Sequence, residues 1–288
     1  MKGYVNFFTE RHRNEYGFSS EFIALDYTKY KIPENILPYA SNLAYANREV
    51  TYDYNGEHHS AEVTTGNEIN TWYRPANTTR TDKHGIEYSW DFGTWQALHT
   101  SLVIDGAWFH IKRQREITSL NYPRYGYDYI SMLPAGSGTI SDRVNTNFRF
   151  ITHPAVNLVF TTTMQVVWYE NQRSIYQTKG GTKLYHLSAD GTRYVISPLG
   201  FYNRQGEWTD WKPEYENMDQ YKLLYGRELL YAFKSDNIKP WALFNFRLTK
   251  ELGKIAEISF MANNFLGMKK YHVNKNTRVK QSLYPDTY

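Results

Sequence analysis

Arg143-Val144-Asn145-Thr146-Asn147-Phe148-Arg149-Phe150 leads through His153-Pro154-Ala155-Val156 into Leu158-Val159-Phe160-Thr161-Thr162-Thr163-Met164-Gln165-Val166-Val167-Trp168. Before the turn, Val144, Thr146, Phe148 and Phe150 alternate with Arg143, Asn145, Asn147 and Arg149. After it, Leu158, Phe160, Thr162, Met164, Val166 and Trp168 alternate with Val159, Thr161, Thr163, Gln165 and Val167. Alternation of this length predicts a hairpin with one apolar and one wet face. Long strands of that kind are how a β-barrel crosses an outer membrane.

Two sister pairs carry the same pattern. Residues 84–93 place Ile86, Tyr88, Trp90 and Phe92 opposite Glu87, Ser89 and Asp91, and Gly93-Thr94-Trp95-Gln96 is read as the turn into a strand over 97–112. Residues 240–250 set Ala242, Phe244, Phe246 and Leu248 against Asn245, Arg247 and Thr249, then pass through Glu251-Leu252-Gly253-Lys254 into 255–265. With a first strand over residues 3–9 at least, seven strands are expected.

The connections alternate in length. Those near Thr94, Ala155 and Gly253 are tight; those over 10–83, 113–142 and 171–239 are long and rich in Tyr, Asn, Gly and Pro. Compact soluble domains seldom need several connections beyond about 15 residues, whereas outer-membrane barrels pair short periplasmic turns with long external loops. The polar stretch 269–288, with Pro285, is expected to end the chain in a loop.

Composition agrees. Aromatic residues make up 17% of the 288, including 26 tyrosines and 8 tryptophans, which suit pleated surfaces and membrane–water interfaces. No apolar run approaches the roughly 18 residues of a spanning helix. The mean hydropathy of −0.66 looks soluble but does not exclude a barrel, in which only alternate residues face lipid. The net charge of +4 lacks the basic stripe of a nucleic-acid binder, and the absence of cysteine excludes disulfide and thiolate sites. Met1-Lys2-Gly3-Tyr4-Val5-Asn6-Phe7-Phe8 enters strand-like alternation directly, so no signal peptide is expected.

Gly85-Ile86-Glu87-Tyr88-Ser89-Trp90-Asp91-Phe92-Gly93 and Thr100-Ser101-Leu102-Val103-Ile104-Asp105-Gly106-Ala107, with the segments at 143–153, 160–168, 245–253 and 260–266, resemble the C-terminal barrel region of TonB-dependent receptors of the Bacteroidota type. The resemblance covers nearly the whole chain and is densest from residue 84. It implies an all-β, antiparallel up-and-down transmembrane barrel in the bacterial outer membrane, and a role in energy-driven uptake of a nutrient such as a glycan or siderophore. The implied partners are outer-membrane lipid, the TonB complex, a surface lipoprotein and the imported small ligand, with no cofactor. The family also has an N-terminal plug and a barrel of about 22 strands. The chain therefore reads as a single partial barrel domain over residues 1–288, without the plug and without the family's last strand.

On this reading Asn145, Asn147, Arg149, Thr161, Thr163, Gln165, Asn245 and Arg247 line the lumen. Tyr122, Tyr125, Tyr127, Trp208, Trp211 and Tyr215, in external loops, could stack on a sugar or other flat ligand, or pack the loops on one another. Trp90, Trp108, Trp168 and Trp241 are expected as interfacial girdle residues. No catalytic residues are expected. Asp91 and Asp105 read as solvated lumenal carboxylates, Gly180-Gly181 and Gly136-Ser137-Gly138 as loop glycines, and Asn77-Thr78-Thr79 as a chance glycosylation match. Glu57-His58-His59 reads as a loop and not a metal site, since adjacent strand histidines point apart. The rival readings are a passive porin or adhesin barrel, and a soluble carbohydrate-binding β-sandwich that buries its apolar faces.

Overall fold

The computed structural model describes residues 1–122, 128–154, 157–253, 255–266 and 271–282. The fold is all-β and antiparallel. Its main sheet is a meander of seven strands: β1 (Lys2–Lys31), β2 (Glu62–Trp95), β3 (Thr100–Arg115), β4 (Ser137–Thr152), β5 (Leu158–Tyr176), β6 (Trp241–Leu252) and β7 (Ala256–Ala262). Each strand pairs with the next, and the sheet curls into a half-barrel. The short strand Asp236–Ile238 continues β6 along the upper part of β5. Among the described residues β1 and β7 do not pair with each other.

Tight connections do join β2 to β3, β4 to β5 and β6 to β7, and long ones fall between them. Four expectations need correction. Residues 10–83 are not a polar excursion: β1 and β2 run on as a hairpin of 30- and 34-residue strands. At about 3.3 Å per residue this hairpin is roughly 100 Å long, and its part beyond Asn14 forms an arm. Second, Gly93 (φ 72°) does not close the turn but forms an irregularity inside β2, where its N–H meets Asp91 Oδ1 at 2.8 Å. The chain reverses over Gln96–Leu98, with His99 left-handed (φ 47°).

The third correction lies at the tip of the arm, where Ser41–Ala46, Glu49–Tyr54 and Glu57–Ser60 form a small sheet. Asn55 (φ 52°) and Gly56 (φ 82°) turn its second hairpin, as Asn-Gly does in a type I′ turn. Glu57-His58-His59 is thus strand, and the two rings diverge: His58 Nδ1 lies 2.7 Å from Asp53 Oδ1, and His59 stacks on Tyr52. Fourth, Tyr271–Val273 and Lys280–Ser282 form a hairpin where a loop was expected. Asp236 holds it through His272 Nε2 and Asn274 Nδ2, both at 2.7 Å.

Three glycines of the main sheet let aromatic rings lie across the backbone of a neighbouring strand. The Trp90 indole covers Gly3, Phe8 covers Gly85 and Tyr88 covers Gly106. A Cβ at Gly106 would sit 2.4 Å from Tyr88 Oη and 2.5 Å from the Asn145 carbonyl. The rings make up the packing that the glycines lack.

The two long loops fold together rather than singly. Ile130–Leu133, from one, pairs with Gly200–Tyr202, from the other, in a four-stranded sheet completed by Ser119–Asn121 and Trp208–Asp210. Ile130, Ser131 and Leu224 are fully buried there, beside Val195, Ile196 and Phe201. Asn121 Nδ2 donates to the Leu224 carbonyl at 3.0 Å, and Ser131 Oγ donates to the same oxygen. This assembly rests against the arm, where Tyr202 stacks on Phe22 and the Leu120 N–H donates to Ser20 Oγ at 3.0 Å.

Candidate functional site: the two faces of the half-barrel

Residues paired across antiparallel strands share a face, so the register assigns every side chain of the main sheet. One face is polar. On it Asn147 and Gln165 pair, Thr163 pairs with both Arg149 and Asn245, Thr161 pairs with Arg247, and Asn145 pairs with Val167. The eight residues expected to line a lumen therefore form one continuous patch over three strands. Asp105 extends it: Asn147 Nδ2 donates to Asp105 Oδ2 at 2.7 Å, and an Arg149 nitrogen lies 3.9 Å from Asp105 Oδ1. Arg247 reaches Ser259 Oγ at 3.0 Å and Glu257 Oε1 at 3.4 Å.

Above the patch is a hollow of about 390 Å³ lined by Phe109, Ile111, Ser141, Arg143, Asn145, Gln165 and Glu170. It opens between side chains of β3, β4 and β5. Alternation finds Arg143, Asn145 and Gln165 on this face, but not Glu170. An irregularity between Val167 and Tyr169 inserts Trp168 as an extra residue. Parity flips there, and Glu170 comes to pair with Arg143 on the polar side.

The opposite face is apolar in rows of paired residues. Gly3, Trp90, Ile104, Phe148, Met164 and Phe244 form one. Val5, Tyr88, Gly106, Thr146, Val166 and Ala242 form the next, and Phe7, Ile86, Trp108, Val144 and Tyr169 the third. The following row changes character in every strand at once: Thr9, His84, His110, Asp142, Asn171 and Asn237. Neighbours in it are linked, with Thr9 Oγ1 3.1 Å from His84 Nδ1 and His110 Nδ1 2.7 Å from Asp142 Oδ1. Beyond lie Arg11, Asp82, Lys112, Ile140 and Arg173. Toward the tight turns the band runs through Leu102, Phe150, Thr162 and Phe246, and ends near the Thr100–Thr152 hydroxyl pair at 2.9 Å.

From Thr100 to His110 is about 33 Å along the strand, or about 25 Å of height at a tilt near 40°. On the edge strands the band is open to the surroundings, with Phe7 73% exposed and Phe260 63%, while Ile104, Phe148 and Met164 in the middle are half-buried.

The tryptophans expected at an interface fall in different places. Trp108 and Trp168 lie at the top of the apolar band, under the polar row. Trp90 lies in mid-band, across Gly3, and Trp241 is on the polar face, paired with Val167. Neither of these two borders the band. Their own strands place them there by parity and height, which residue type alone does not reveal.

Among the loop aromatics, Trp211 and Tyr215 pack edge to face at 5.6 Å, and both meet Phe201. Trp208 lies over Gly200, donates Nε1–H to Asp210 Oδ1 at 2.7 Å and remains 40% exposed. Tyr122 is half-buried at the edge of the same assembly; Tyr125 and Tyr127 lie outside the described residues. Among the described residues no three His, Cys, Asp or Glu side chains gather as metal ligands.

The chain matches no family model, and no significant match is found among curated proteins or solved structures. The assignment of this sheet to a function therefore rests on its two faces.

Proposed function

We propose that this chain forms part of the membrane-spanning wall of an outer-membrane β-barrel, of the TonB-dependent receptor kind that its strands resemble. The observation that carries the reading is the apolar face opposite the polar one. At one register from β1 to the strand beside β5 a polar row replaces its apolar side chains. A band about 25 Å tall matches the lipid-facing zone of a barrel. A soluble sandwich would bury this face against a second sheet, whereas Phe7, Ile258 and Phe260 stand exposed.

On this reading the polar patch and its hollow line a solute path, and the interlocked loops with the long arm stand on the outer side. The small imported ligand enters past these loops. A surface lipoprotein engages them from outside, and the TonB complex supplies the energy. Among the described residues the outer edges of β1 and β7 are unpaired, so in the bilayer they must meet strands of another copy or another chain, because an unsatisfied backbone group in hydrocarbon costs several kcal/mol.

Reconstitution with phosphatidylcholine vesicles tests the proposal. The chain should float with the vesicles and resist extraction by alkaline carbonate. Recovery of folded chain in the aqueous fraction would sink it.

A further inference from the structure

A second cavity, of about 340 Å³, lies between the Asp236–Ile238 strand and the Tyr271–Val273 hairpin. Lys239, Lys275 and Arg278 line it together with Ile238, Tyr271 and Val273. No carboxylate lines it, and among the described residues none of the three cations has an ion-pair partner. Asp236, in the strand that flanks the cavity, is already engaged by His272, Asn274 and the Lys275 backbone N–H. A fourth cation stands beside the cavity, with Lys280 Nζ 4.0 Å from the centre of the Tyr271 ring. All three are exposed, so this cavity brings three positive charges to one surface with no carboxylate in its lining, which favours an anion there.

Beside Asn237 and His272 the wall holds Ile238, Tyr271 and Val273, an apolar part which a free inorganic ion does not need. The position is equally specific. Asn237, which also lines the cavity, is the last member of the polar row, paired with Asn171 where the apolar band ends. An anion held here by an apolar tail below it would have its charge at the boundary and its tail beside the band. Arg278 offers a planar fork for phosphate oxygens, and the two lysines offer point charges.

We propose that this cavity binds the phosphate headgroup of an anionic lipid, with Lys239, Lys275 and Arg278 as its charge partners. The lipid as source rests on the barrel reading; the phosphate site rests on the cavity alone.

The test titrates the full chain in zwitterionic detergent with dihexanoyl phosphatidic acid, dihexanoyl phosphatidylcholine and inorganic phosphate, read by calorimetry. The phosphatidic acid should bind at least about tenfold more tightly than either of the others, a difference of about 1.4 kcal/mol. The triple variant K239A/K275A/R278A should lose that preference. K31A/R193A/K212A, which removes the same charge from exposed sites elsewhere, should keep it. Circular dichroism confirms that both variants retain the sheet.

Equal affinity for the two lipids, or an unchanged triple variant, overturns the proposal. Inorganic phosphate binding as tightly as phosphatidic acid overturns the lipid assignment and leaves an ion site. Vesicle flotation reports separately on the barrel. A chain that binds phosphatidic acid through these cations but stays off phosphatidylcholine vesicles keeps the cavity assignment and loses the membrane one.

Discussion

The indole N–H of Trp168 donates to Thr146 Oγ1 at 2.9 Å, and Tyr88 Oη reaches the same oxygen at 2.6 Å. Three polar groups on the apolar face thus satisfy one another. Thr146 is 5% exposed beneath the two rings. Thr146→Val keeps the shape and removes the shared partner, so both ring groups lose their bond. The expected cost is about 1–3 kcal/mol, and Thr146→Ser should recover most of it. Urea unfolding in vesicles measures both, and a Val variant as stable as wild type would show the network to be incidental.

The two faces predict opposite tolerance of charge. Phe148→Lys and Met164→Lys put a cation in mid-band and should each cost roughly 2–4 kcal/mol in a bilayer. Gln165→Lys, on the polar face, should cost little. Unfolding of the vesicle-inserted protein ranks the three. The reverse order would mean that the wet and lipid faces have been exchanged.

Gly106→Ala probes how closely the strands approach. The added Cβ meets the Asn145 backbone carbonyl at 2.5 Å, which cannot swing aside as a side chain can. Overpacking of this kind costs about 1–3 kcal/mol. Gly56→Ala meets no neighbour within 4 Å but holds φ at 82°, so its smaller penalty is conformational. Comparing the two melting curves separates contact from backbone strain, and a silent Gly106→Ala would show that the ring and carbonyl can yield.

The meander and its order were legible because seven segments keep period two over a half-wet sheet. The outer halves of β1 and β2 were not. Between Asn14 (φ 58°) and Lys31 both faces carry polar and aromatic residues together, so no alternation marks the arm as strand. Pro75 sits inside β2 opposite Phe18, where a proline argues against strand in a sequence. The loop sheet is built from strands of three or four residues, too short for any period to register. The membership of the polar patch was readable residue by residue. The polar row was not, since Thr9, His84, His110, Asp142 and Asn171 are unremarkable until pairing sets them side by side.

A pH effect follows from Asp190 in the outer loops. Hydrogen bonds from Ser188 Oγ at 2.6 Å, from the Thr192 N–H at 3.1 Å and from the Thr192 hydroxyl at 2.8 Å hold its carboxyl down at about 2. An unfolded aspartate titrates near ~3.9. A group depressed on folding stabilises the fold fully above the unfolded value, and that contribution fades as pH falls through ~4 toward 2. Carboxyl-carbon NMR should show Asp190 titrating well below the ordinary aspartate value, and Ser188→Ala should move it upward. An unmoved titration in that variant would mean that the serine is not the main support.

The height of the polar row yields the most direct optical test. Trp108 lies in the row under His110, and Trp90 lies two rows deeper toward the tight turns. Variants retaining only one of these tryptophans, placed in phosphatidylcholine vesicles, should respond to brominated lipid at different depths. Trp108 should be quenched most by bromine near the headgroup end of the acyl chain, and Trp90 most by bromine near the bilayer centre. Because both rings are on the same face, lateral access cannot produce that contrast; depth can. Equal quenching at both depths would place the apolar edge somewhere other than the row of Thr9, His84, His110, Asp142 and Asn171. Quenching of neither would remove this face from the lipid altogether.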